Sequence, residues 1–175
     1  MITSEMGRNG LNFLLFQTGW LVCVLYPGLA STGLAALFLA IHMVLVSTQR
    51  GAELRFIAVG ILLGSLLDAL WFRLGVLGIE GAEGISNTVP LWLIAIWALF
   101  MTTLCHSLSW MTKRKWLPFV LAPFAGSFAY WSASKLGAIT LPGHFVSLLA
   151  IGAGWLVLFP LLLTIRKHLV VEVAS

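Results

Sequence analysis

Charge is what this sequence has least of. Of its 175 residues, 9% are Asp, Glu, Lys or Arg, whereas 60% are hydrophobic. A water-facing surface needs about a quarter of a domain's residues charged, so a free-standing soluble domain is excluded. Cysteine is nearly absent as well: Cys23 and Cys105 both lie inside apolar runs. With no CxxC pair and no Cys/His spacing, neither a disulfide framework nor a structural zinc module is expected. Both thiols read as small buried hydrophobes. The sequence shows no repeat, low-complexity tract or long linker, which leaves one domain over 1–175. H-E-x-x-H and G-x-S-x-G are missing too.

What is present is apolar run after apolar run, each near the roughly 20 residues that span a bilayer. The expected fold is all-α, an integral membrane bundle of six transmembrane helices. They fall at about 10–27, 32–49, 54–77, 90–112, 116–137 and 143–165. Between them stand breakers such as "YPGLASTG", "QRGAE", "GIEGAEGISNTVP", "TKRK" and "LPGH". Connections this short make successive helices antiparallel neighbours.

The net charge of +4 sits in clusters between the runs, which suits membrane topology and gives no nucleic-acid surface. With six spans, Arg8, Arg50, Arg55, Lys113, Arg114, Lys115, Arg166 and Lys167 fall on one side. Glu80 and Glu83 fall on the other, so both termini are expected in the cytoplasm. A cleaved signal peptide is the competing reading of the first run, but Asn12, Gln17 and Trp20 lie within it. The tail 169–175 is too short to span and is expected to fray.

The polar residues inside these runs are the candidates for chemistry. Gly60, Gly64 and Asp68 share one stripe of span three. Gly-x-x-x-Gly lets a neighbouring helix approach closely, so Asp68 should face the bundle interior. Arg73 lies about 140° round the helix and near its outer end, where it can snorkel to the interface. Helix rise places His42 near mid-depth in span two and His106 about 7 Å deeper towards the cytoplasm. Tyr130 falls in the outer half of span five, Gln17 at mid-depth and Asn12 near the inner end of span one.

Asp68 with His42 or Tyr130 reads as a proton-handling or substrate-holding site, with His106 a further candidate. The bland alternative is a polar clasp that sets helix register. Both stay open. Arg73, Lys135 and His144 gather near the outer ends and can receive a phosphate or carboxylate headgroup, although snorkelling alone explains them. His42, His106 and His144 lie at three depths, too dispersed to meet round one ion; no metal and no cofactor is expected. Trp71, Trp92, Trp110, Trp116 and Trp131 fall towards span ends as an interfacial belt does. Pro123 with Gly126 either kinks span five for packing or opens a cavity beside Tyr130.

Three stretches carry a family likeness: "NFLLFQTGWLVCVL" at 12–25, "GSLLDALWFRLGVL" at 64–77 and "PLWLIAIWALFMTTLCHSLSWM" at 90–111. They resemble a group of small bacterial inner-membrane proteins, domain of unknown function 2878. The resemblance implies a bacterial multi-pass protein in a setting of membrane fatty-acid modification, and it assigns no catalytic residue. The function expected is therefore lipid handling, as an enzyme or its membrane-bound helper, with membrane lipid as the partner. The alternatives are a small proton-coupled transporter, which needs a homo-oligomer to build a path, and an accessory subunit bound to another membrane protein.

Overall fold

The computed structural model describes residues 2, 4–79 and 88–170. The acidic stretch with Glu80 and Glu83, and most of the tail beyond 169, lie outside the described residues. Six α-helices follow in order: α1 (Glu5–Leu25), α2 (Leu29–Leu45), α3 (Arg50–Arg73), α4 (Leu91–Cys105), α5 (Leu117–Lys135) and α6 (Phe145–Leu169). A 3-10 helix (Ser109–Lys113) precedes α5, and no strand occurs among the described residues.

The helix boundaries differ from those read off hydropathy, and the caps explain why. Hydropathy marks where greasy side chains begin; a helix begins where its free N–H groups find acceptors. Ser4 caps α1 by accepting from the Gly7 N–H at 3.3 Å, well before the apolar run that starts near position 10. Arg50 opens α3, and its guanidinium donates to the last carbonyls of α2, Met43 O at 2.7 Å and Val44 O at 3.2 Å. One side chain thus ends α2 at Leu45 and starts α3, so Glu53 belongs to a helix and not to a loop. α4 stops at Cys105, well short of the expected 112, and the chain turns at His106 before entering the 3-10 helix.

The packing runs α1 on α2 and α4, α2 on α4, α3 on α4 and α6, and α5 on α6. The Ile2 N–H donates to Leu45 O, which puts the start of the chain beside the end of α2. One end of the bundle therefore carries the chain termini. The other carries Arg73, Lys135 and His144.

Helices α3 and α5, with the turns that follow them, carry matching features at one constant spacing, a repeat that residue identity does not display. Gly64 and Gly126 each receive a tryptophan where a Cβ would stand, Trp97 and Trp155 respectively. Arg73 and Lys135 each end their helix, followed by Leu and a left-handed glycine, Gly75 (φ 69°) and Gly137 (φ 86°). Only glycine takes that turn without strain. Gly78 and Thr140 then pair with each other through two hydrogen bonds of 3.0 and 2.7 Å. Asp68 and Tyr130 occupy equivalent positions and also touch, and Trp97 and Trp155, which fill the two glycine sockets, stack on each other.

α3 and α6 are long and apolar enough to cross a membrane, and only 33% of the most apolar window of each is buried. α2 and α4 are apolar but shorter. Of the tryptophans read as an interfacial belt, Trp110, Trp116 and Trp131 are exposed, whereas Trp71 and Trp92 are buried in the core.

Candidate functional site

Two polar clusters lie on α3, one near each end. Glu53, Ile57, Gly60, Gly64 and Asp68 form one buried stripe, following the periodicity of a helix face. The glycines leave room for α4: Met101 fills the space at Gly60 and Trp97 the space at Gly64. Side chains, rather than a helix backbone, use the gaps.

Trp97 is thereby brought to Asp68. Its indole N–H donates to Asp68 Oδ2 at 2.6 Å, and the Tyr130 hydroxyl of α5 donates to Asp68 Oδ1 at 2.5 Å. Asp68 is fully buried. Trp71 holds the Tyr130 ring edge-on at 5.3 Å, and Trp155 stacks on Trp97 at 5.3 Å. The expected pairing of Asp68 with Tyr130 is present; that with His42 is not. Trp97 was missed because an indole in an apolar run reads as bulk.

Tyr130 and Trp97 also border a cavity of about 1130 Å³. Phe16, Gln17 and Trp20 of α1 form one wall, and α5 from Leu121 to Ala133 forms the other. Phe100, Trp155 and Phe159 pack against one another at its base. The lining is overwhelmingly apolar, and Gln17 is an exposed polar side chain within it. A cavity thus lies beside Tyr130, on the helix that carries Pro123 and Gly126.

The second cluster corrects the depth reading of the histidines. His42 Nε2 lies 3.1 Å from Glu53 Oε2, and His106 Nε2 lies 3.2 Å from both Glu53 oxygens. The two imidazole rings are 5.0 Å apart, edge to face. Because α2 ends at Leu45, His42 sits in its last turn and not at mid-depth. Because α4 ends at Cys105, His106 caps that helix at the same end. Glu53, in the first turn of α3, is buried between them. His42, Glu53 and His106 are a group that can hold a metal ion, their ligand atoms lying within 4.8 Å of one another. The spread in depth that argued against an ion is therefore wrong for this pair. His144 is exposed at the opposite end and does not join them.

Asn12 of α1 closes this cluster. Its Oδ1 accepts from the Ser107 N–H at 3.2 Å and from the Ser107 hydroxyl at 2.6 Å. Its Nδ2 donates to Thr102 Oγ1 at 2.8 Å and faces His42 Nδ1 at 3.3 Å. Thr102 gives its own proton to Leu99 O, so the direction of the chain of donors is fixed.

Arg73, Lys135 and His144 are all exposed. The Lys135 ammonium lies 6.0 Å from the centroid of the Trp131 ring, at the limit of a cation–π contact. Cys23 and Cys105 are free thiols.

The fold and these clusters define an all-helical protein with buried polar sites and helices apolar enough for a membrane. A family model described as a protein of unknown function, DUF2878, matches residues 9–161. The chain belongs to that family. No curated protein and no solved structure matches the chain.

Proposed function

We propose that the chain is a multi-pass protein of the bacterial inner membrane, with six spans and both termini in the cytoplasm, and that it handles membrane lipid. Its site is the cavity between α1 and α5, which takes an acyl chain. The observation that carries this reading is the cavity itself: about 1130 Å³, walled by aromatic and aliphatic side chains, with Tyr130 and Gln17 on its lining. Ligand sites run to about 300–1,000 Å³ and combine an apolar wall with few polar groups. A hole of this volume lined by hydrocarbon favours a chain-like apolar occupant over a hydrated solute.

The exposed surface supports the membrane setting. Phe124, Phe128, Phe145, Val146 and Val157 are 65–74% exposed, all on α5 and α6, and water tolerates such a continuous apolar face poorly. Lipid needs no charge there. The short helices α2 and α4 can be met by local thinning or by their neighbours, as mismatched spans are. In this reading Asp68, Tyr130 and Trp97 fix the angle between the two hairpins that border the cavity. Arg73 and Lys135 stand at the outer rim, where a headgroup would lie.

Native mass spectrometry with lipid identification tests the reading. Wild type should retain a defined lipid, and Ala129→Trp, which fills the cavity from α5, should lose it while remaining folded. Equal retention by both proteins would remove the cavity as the site.

A further inference from the structure

We propose that His42, Glu53 and His106 form a binding site for a divalent first-row metal ion of the zinc or ferrous class. Two imidazoles and one carboxylate are a ligand set such ions take. The three side chains come from α2, α3 and the turn after α4 and are buried, 1%, 2% and 9% exposed. Ligands bonded at 2.0–2.1 Å in a tetrahedron stand about 3.3 Å apart. The histidine-to-carboxylate edges here are 3.1 and 3.2 Å. The edge between the imidazoles is wider, within 4.8 Å, and closes on the ion.

Local structure is shaped for this meeting. The apolar run of α4 contains neither Pro nor Gly at its end, yet the helix breaks at His106, with φ −128° and ψ −95°. That turn is what brings the imidazole to Glu53. Asn12 stands at the second nitrogen of His42, where a ligating histidine needs an acceptor. As described above, Asn12 presents N–H to His42 Nδ1, which leaves the proton of a neutral His42 on Nε2, facing Glu53. An ion on Nε2 displaces that proton to Nδ1. The Asn12 amide must turn over to accept it, the Thr102 hydroxyl must turn towards Asn12, and the Ser107 N–H loses its partner. Metal loading and this rearrangement are therefore coupled. Aspartate at position 12 removes the conflict, because both of its oxygens accept.

The test uses tag-free full-length protein in detergent, with metal content by elemental analysis and cobalt(II) as a visible probe. Wild type should hold about one ion per chain and give a cobalt spectrum, and metal should raise its unfolding temperature. Glu53→Gln and His42→Ala should bind cobalt at least about tenfold more weakly, while Asp68→Asn binds as wild type. His106→Cys should add a thiolate-to-cobalt charge-transfer band, a signal that only a coordinating residue yields. Asn12→Asp should bind about tenfold tighter than wild type. These last two variants decide the matter if the first two do not fold. Folded wild type that takes no ion in metal-replete buffer would overturn the site and leave a hydrogen-bonded clasp. Cobalt held equally well by folded His42→Ala, or His106→Cys without the new band, would also overturn it, with binding assigned to the surface His144 and His168.

Discussion

Helix α3 carries two buried carboxylates on the same stripe, and their partners differ in one property. Asp68 accepts from a phenol and an indole, groups that keep their protons under ordinary conditions. Glu53 meets two imidazoles, whose nitrogens can pass a proton to a base and present a lone pair to a metal ion. The first arrangement ties α3 to α4 and α5 and suits a joint between hairpins. The second can exchange what lies between its members, which suits a binding site. Burial alone does not separate the two, since both are almost wholly enclosed. The chemistry of the donors does.

Several substitutions sharpen or break that contrast. The largest effect is expected from Glu53→Ala, which leaves two buried imidazoles facing a gap. Loss of one partner from a buried ionic group costs about 3–5 kcal/mol, and unfolding in denaturant should record a loss of that order. Next come Gly64→Leu and Gly126→Leu, each of which evicts a tryptophan from its socket. Overpacking of this kind costs about 1–3 kcal/mol, and the match between α3 and α5 predicts similar losses in the two variants. Tyr130→Phe removes one donor from Asp68, and a hydrogen bond between membrane helices is worth about 1–2 kcal/mol or less. A double-mutant cycle with Asp68→Asn should show coupling between the two positions, whereas a cycle of Asp68→Asn with His42→Ala should be additive. The smallest effects belong to Arg73→Ala and Lys135→Ala, both exposed, with stability changes within about 0.5 kcal/mol. A large loss from either would mean the outer rim has a structural part that its exposure does not suggest.

The sequence made the helix number and the interior position of Asp68 legible, because apolar runs and the Gly60–Gly64–Asp68 stripe are short-range patterns. It misled on the histidines. Hydropathy extends α2 to 49 and α4 to 112, whereas Arg50 and the turn at His106 end them at Leu45 and Cys105. A shift of one turn moves a side chain by about 5 Å along the axis, enough to separate two residues that in fact touch. Glu53 was hidden for the same reason, falling in a stretch read as a loop. Its signal was nevertheless present: it continues the stripe of Gly60, Gly64 and Asp68 towards the chain termini. Trp97 had no such signal, because what distinguishes it is a glycine on another helix. The match between α3 and α5 is hidden in the sequence because it lies in turn geometry and contacts more than in residue identity.

Native mass spectrometry of wild type, Glu53→Gln and Ala129→Trp, recorded side by side, tests most directly whether the protein holds two separate sites, one at the Glu53 cluster and one in the cavity beside Tyr130. Wild type should carry both a metal mass and a lipid mass. Glu53→Gln should lose only the metal, and Ala129→Trp only the lipid. Metal retained by folded Glu53→Gln, or both masses lost together in either folded variant, would contradict the separation.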